Sequence, residues 1–392
     1  MLSLLTHILT RIVHLLFKFV IGFDLATSQA ISQSQSPSNT KPRQTREELL
    51  NNLRGKTVRI PDLTSFFAHW PDPVNSDLDK LRKEIDEWLK PFDLSPKVLA
   101  ALQKADFGYF GATWWPHARF ERLKIVTYLI IWLFIWDDEI DISDGSMYED
   151  FSNAQLYREQ TLAFARYSLG FDNEEPEVEN KIIRAFAPIG LALNDVYDTP
   201  HREMVYRELE FDITMAEKEQ RLRLSQQVPT LEEFWQYRLG ASAVYLCLVF
   251  QEFSRESTQF PMSFYEDEDV KLILLCTNRL ISAVNDLLSL KKEIRKGAVD
   301  SLVPILCYHG REAQGAVDEV ITMIKDDVRK LDEAAARLLT KYEDDEQMKS
   351  DVGNFINGCK SNAVGNLTWS LVTGRYGVSQ AKNASGGLLI DL

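Results

Sequence analysis

The chain has 392 residues, 45% of them hydrophobic, and a formal net charge of -14, so it can bury a large core. That acidity excludes a nucleic-acid partner, because affinity for a phosphate backbone comes from clustered Lys and Arg. An anionic substrate stays open only where a metal and local cations overcome the overall field.

Residues 1–23 are apolar but interrupted by Arg11 and Lys18, so no uncharged run approaches the roughly 20 residues of a spanning helix. Wound at about 100° per residue, Ser3, His7, Thr10, Arg11, His14 and Lys18 fall on one narrow stripe, with Leu, Ile and Phe covering the rest. The pattern predicts an amphipathic segment over 1–27 lying on a membrane surface. A signal peptide is the rival reading, and Arg11 breaks the apolar region it needs. Residues 28–57, rich in Ser and Gln, predict a flexible polar linker, 58–377 the folded body, and 378–392 a disordered tail.

From about Ser76 to Tyr376 apolar residues recur at helical spacing and strand alternation is scarce, which predicts an all-α body. Helices are expected near 76–90, 96–110, 117–140, 148–169, 178–197, 202–225, 230–254, 265–295, 311–342 and 347–375. No internal repeat is visible. A body this long with 21 Phe, 13 Tyr and 8 Trp fits one helical bundle around a deep, aromatic-lined cavity. Cys247, Cys276, Cys307 and Cys359 make no CxxC pair or metal-ligand spacing, and read as reduced core thiols of a cytoplasmic protein.

Two clusters carry chemistry. The apolar helix over 125–141 ends abruptly in Asp137, Asp138, Glu139 and Asp141, and Asp137 and Asp141, four apart, share a face. By itself such a cluster is more often a solvated helix end than a metal site. It also sits at the dipole's negative pole, where carboxylates need a compensating cation. The second cluster lies in the helix from about 265. There Asn285, Ser289 and Glu293 recur every four residues, drifting about 40° per step, so three different oxygen donors line one face. Hard oxygens of this kind suit magnesium and the phosphates that complete its shell.

In this order, Asp137-Asp138-x-x-Asp141 followed about 150 residues later by Asn285-Asp-x-x-Ser289-x-x-x-Glu293 resembles the aspartate-rich and NSE motifs of class I terpene synthases, and of fungal-type sesquiterpene cyclases in particular. Arg238 stands 47 residues before Asn285, where the family has its diphosphate-sensing arginine. Lys292 matches the basic residue before the NSE glutamate, and Arg375-Tyr376 the carboxy-terminal Arg-Tyr pair. The resemblance implies the class I terpenoid synthase bundle and release of diphosphate from farnesyl diphosphate, with geranylgeranyl diphosphate as the alternative. It also implies three magnesium ions, Asp137 holding two and Asn285, Ser289 and Glu293 the third. Arg238, Lys292, Arg375 and Tyr376 are then expected to donate to phosphate oxygens, and Asp138 and Asp141 to support the metals, pairing with Arg375 as the site closes.

Trp114, Phe134 and Trp369 resemble the family's cavity aromatics, whose ring faces would stabilise a carbocation. One position departs from the pattern: three residues after the sensing arginine, many bacterial members carry an aspartate where this chain has Ala241. A prenyl-chain elongase would need a second aspartate-rich motif in place of NDLLSLKKE, and a class II cyclase a DxDD acid that is not found. A catalytically silent binding protein of the same fold would be expected to have lost metal ligands. The terpene product and the oligomeric state are not legible.

Overall fold

The computed structural model describes residues 44–392, apart from 93, 142–144, 256–258 and 384–385. The amphipathic segment expected over 1–27, with its membrane contact, and the linker as far as residue 43 lie outside the described residues.

In chain order the elements are α1 (Arg46–Leu53), β1 (Thr57–Ile60), α2 (Leu78–Leu89), α3 (Pro96–Ala105), α4 (Phe107–Trp114), α5 (Phe120–Asp141) and α6 (Phe151–Ser168). There follow α7 (Lys181–Arg184), α8 (Ala187–Asn194), α9 (Thr199–Leu224), α10 (Leu231–Ala241), α11 (Val244–Leu248), α12 (Gln251–Arg255) and α13 (Met262–Tyr265). The chain ends with α14 (Glu268–Lys296), α15 (Leu302–Tyr308), α16 (Ala313–Lys341), α17 (Glu346–Val372) and β2 (Leu388–Asp391). The all-α reading therefore holds, apart from one two-stranded ribbon.

Both ends of the body differ from expectation. The Thr45 hydroxyl accepts from the Glu48 amide while the Glu48 carboxylate accepts from the Thr45 amide, and this reciprocal cap starts α1 inside the stretch read as linker. Leu49, Leu50 and Leu53 then bury the inner face of α1. At the far end, β2 pairs antiparallel with β1, Thr57 opposite Asp391 and Ile60 opposite Leu388. Val58, Ile60, Leu388 and Ile390 are all buried, so the last residues form a strand rather than a disordered tail. Four-residue strands whose partners lie at opposite ends of the chain leave almost no local signal.

Three long helices were expected that the chain divides. At Asp106 the backbone turns left-handed (φ 53°), ending α3 and capping α4 through a bond accepted from the Tyr109 amide. The stretch 178–197 splits into α7 and α8, and 230–254 into α10, α11 and α12. The break after α10 passes through Ala243 at φ 54°, with the Ser242 hydroxyl accepting from the Val244 amide at 3.3 Å.

At the centre, α14 packs against α16 and α17, and α17 against α4. The last approach is close enough to require glycine: a Cβ on Gly365 would stand 2.7 Å from the Thr113 carbonyl. Around this core α5, α9 and α14 border one cavity, and each turns its carboxy-terminal end toward the cavity's polar side. Three negative dipole ends at one place favour a cation there, which reconciles the acidic cluster with the end of α5 on which it sits.

Candidate active site

The cavity, about 270 Å³, is bordered by residues whose character changes along each helix. On α5 the lining runs from Ile130, Leu133 and Phe134 to Asp137, Asp138 and Asp141; on α14 it runs from Ile281 through Asn285 and Ser289 to Lys292 and Glu293. One half is thus apolar and aromatic, the other charged. Ten of the expected metal and phosphate ligands line this one cavity: Asp137, Asp138, Asp141, Arg238, Asn285, Ser289, Lys292, Glu293, Arg375 and Tyr376.

Their contacts form a chain. Arg375, in the turn after α17, reaches Asp138 with both terminal nitrogens, at 2.8 and 3.2 Å. Arg238 donates to Asn285 Oδ1 at 3.1 Å and Asp286 Oδ1 at 2.9 Å. The Asn285 amide donates to the Tyr376 hydroxyl at 2.6 Å, and Ser289 donates to the Glu293 carboxylate. Lys292 stands 5.7 Å from the Tyr376 ring centre. Asp141 pairs not with Arg375, as expected, but with Arg223 at 2.7 Å.

The electrostatics follow from burial and crowding. Burial, then the neighbouring Asp141 and Asp138 charges, pushes the Asp137 carboxyl well above the usual carboxylate range. Burial lowers Lys292 to about 8, and Arg375 adds repulsion. Asp286 is raised by burial to about 6 against the pull of Arg238. The Nε–H groups of Arg238 and Arg375 are buried with no partner among the described residues. Donors left open in this way are costly unless an acceptor arrives.

Of the aromatics, Trp114 and Phe134 line the cavity. Trp369 does not: its indole N–H donates to the Ala105 carbonyl at 2.7 Å, and its ring packs behind Phe110 and Phe134 at 4.4 and 6.0 Å. Trp369 sits within a helix that turns another face to the cavity, where Asn366 stands instead. Phe110 and Trp136 supply lining rings that sequence reasoning missed.

Other missed residues lie on α9. Asp212, Glu219 and Arg223 all border the cavity, at spacings of seven and four that place them on one helical face. That periodicity was available in the sequence, but no motif drew attention to it. Gln220 beside them donates to the Met147 carbonyl at 2.9 Å, and Arg223 to the Ile140 carbonyl at 2.8 Å, stitching the end of α5 and its following loop to α9. Asp286 was passed over as filler inside the second motif. It accepts from Arg238 and from the Leu302 amide at 3.0 Å, orienting the arginine.

Comparison with known proteins shows the family and the fold. Residues 128–330 match the family model described as terpene synthase family 2, C-terminal metal binding. Sesquiterpene cyclase hepA of Aspergillus oryzae is 31% identical over 356 residues, covering 88% of this chain and 96% of its own. Silphinene synthase peniA of Penicillium patulum is 30% identical over 344 residues, covering 85% and 89%. Among solved structures, an α-eudesmol synthase superposes with a TM-score of 0.68 at 18% identity, over 78% of this chain and 98% of that one, a likeness of fold.

Proposed function

Because the chain belongs to terpene synthase family 2 and is a sesquiterpene cyclase, we propose that it takes farnesyl diphosphate, places the diphosphate in the charged half of the cavity and the chain in the apolar half, and works with magnesium. The observation that carries this reading is the meeting of two oxygen-rich helix faces and four phosphate-suited donors at one end of an aromatic-lined cavity.

The donor set fits a hard divalent ion. Asp137 has no hydrogen-bonded partner among the described residues and is crowded by like charge, while Asn285, Ser289 and Glu293 offer amide, hydroxyl and carboxylate oxygens from one face of α14. We assign two ions to Asp137 and a third to Asn285, Ser289 and Glu293. Bound there, magnesium would neutralise charge developing on the leaving diphosphate.

The chain's own residues do the rest. Arg238, Lys292, Arg375 and the Tyr376 hydroxyl donate to the diphosphate, exchanging their present partners Asn285, Asp286 and Asp138 for phosphate oxygens. The arginine Nε–H groups gain the acceptors they lack. Once the allylic C–O bond breaks, Phe110, Trp114 and Phe134 exclude water and turn ring faces to the cation. The position three after Arg238 is Ala241, so Asp286, rather than a residue there, links the arginine to α14.

Incubating the purified protein with geranyl, farnesyl and geranylgeranyl diphosphates plus magnesium, with products read by mass spectrometry, tests the reading. A cyclic fifteen-carbon product from farnesyl diphosphate is expected. Turnover of geranylgeranyl diphosphate alone would replace it with a diterpene assignment, and no turnover of any of the three would overturn it.

A further inference from the structure

Among the described residues, five cationic side chains border the cavity: Arg223, Arg238, Lys292, Lys296 and Arg375. Each arginine is held by a carboxylate, that of Asp141, Asp286 and Asp138 in turn. Lys292 is half-buried, with its ammonium 5.7 Å from the Tyr376 ring centre. Lys296 differs from all four. It is exposed, and no hydrogen bond or ion pair joins it to any described residue.

Its place follows from the pitch of α14. Lys296 lies eleven residues after Asn285, which returns it to within about 20° of the same helical face. It stands three residues beyond Glu293, about 4.5 Å further along the helix axis. A side chain that both borders the cavity and meets solvent there is at the cavity's mouth. The acids closest to it in sequence are already engaged. Glu293 accepts from the Ser289 hydroxyl, and Asp300 is held by Arg46 of α1, which donates to one carboxylate oxygen at 2.7 Å and binds the other as well. A cation in the last turn of a helix also complements the dipole, but that role does not call for the cavity face. Arg295 lies in the same turn, is equally exposed and does not border the cavity.

For an anion the approach is unfavourable. The chain carries a net charge of -14, and Asp138 and Asp141 stand at the charged half of the cavity, where α5, α9 and α14 all end. A lone cation at the mouth of such a cleft raises the local concentration of an anionic ligand and its rate of entry. We propose that Lys296 is a substrate-capture residue, whose ammonium meets the diphosphate group at the mouth and passes it to Arg238, Lys292 and Arg375. The inference rests on the reading that a prenyl diphosphate enters this cavity. No covalent step is involved, and Lys296 is free to act because Arg46 occupies Asp300.

The test uses the full chain with farnesyl diphosphate and magnesium, comparing each variant with wild type at the same salt concentration. Screening lengths fall from about 30 Å in 0.01 M salt to below about 8 Å above 0.15 M, so a capture effect must fade as salt rises. Lys296→Gln should lower kcat/KM by about 3- to 10-fold in 0.01 M salt, raising KM by a larger factor than it lowers kcat, and by less than about twofold in 0.3 M. Lys296→Arg keeps the charge and should retain at least about half of the wild-type kcat/KM. Arg295→Gln removes the same charge from the same helix turn and should change kcat/KM by less than about twofold at either concentration. Calorimetry of inorganic diphosphate with magnesium should show Lys296→Gln binding more weakly in low salt. Equal losses from Lys296→Gln and Arg295→Gln would overturn the proposal, as would a loss that does not change with salt, or no loss. If wild type neither turns over a prenyl diphosphate nor binds inorganic diphosphate, the cyclase reading itself fails.

Discussion

Arg375 holds the Asp138 carboxylate with both terminal nitrogens, tying the turn after α17 to the carboxy-terminal end of α5 across 237 residues of chain. A lysine could reach the carboxylate with only one point of contact. Arg375→Lys is expected to lower kcat/KM by roughly 10- to 100-fold, the equivalent of losing about 1.5–3 kcal/mol from a charged hydrogen bond. Steady-state kinetics decide it, and a change under threefold would reduce the pair to a structural latch.

The metal assignment predicts loss of chemistry without loss of fold. Asp137→Asn and Glu293→Gln each remove a charged oxygen donor and leave side-chain volume almost unchanged. Turnover should fall by at least about 100-fold with the far-ultraviolet circular dichroism of the wild type. Near-normal turnover in either variant would remove the three-ion reading.

Arg238 differs in the stage at which it acts. Its contacts to Asn285 and Asp286 must be exchanged for the leaving group as charge builds, so Arg238→Lys should reduce kcat by a larger factor than it raises KM. An effect confined to KM contradicts this.

The rings divide into two kinds of damage. Phe110→Leu or Phe134→Leu should keep diphosphate release but shift products toward linear or early-quenched terpenes, since both rings border the cavity. Trp369, fully buried behind them, should behave as core. Trp369→Ala is expected to cost about 3–5 kcal/mol of stability, seen in thermal melting. A product shift from Trp369→Phe at unchanged melting temperature would return it to the cavity's working surface.

Gly365 supplies a further check on the packing. A methyl group there would be driven into the Thr113 carbonyl, so Gly365→Ala should destabilise by about 1–3 kcal/mol. It should also disturb the product mixture, because α4 carries Phe110 and Trp114. Unchanged melting would mean that α4 and α17 can part without cost.

Much of this was legible because helices and ligand spacings are local. Asp137 to Asp141 and Asn285 to Glu293 each lie within three turns, so their shared faces follow from the pitch of one helix. What the sequence concealed was pairing over distance: that Asp141 finds Arg223 while Asp138 finds Arg375 depends on how α5, α9 and α17 pack. Trp369 was misplaced for the same reason, since its distance from Arg375 along the chain says nothing of which helix face meets the cavity. The helix breaks at Asp106 and Ala243 hide behind residue types that do not demand positive φ.

The ribbon of β1 and β2 brings the beginning and the end of the folded body side by side, with Gly55 donating to the Leu392 carbonyl and Leu392 to the Lys56 carbonyl. Topologically the catalytic body is therefore close to a closed ring, which makes it a natural subject for circular permutation. A short bridge from Leu392 to the start of α1, with new ends opened in an exposed loop far from the charged half of the cavity, should preserve the bundle. Cargo fused directly to Leu392 would instead load a strand whose neighbours are buried, and is better carried on a spacer.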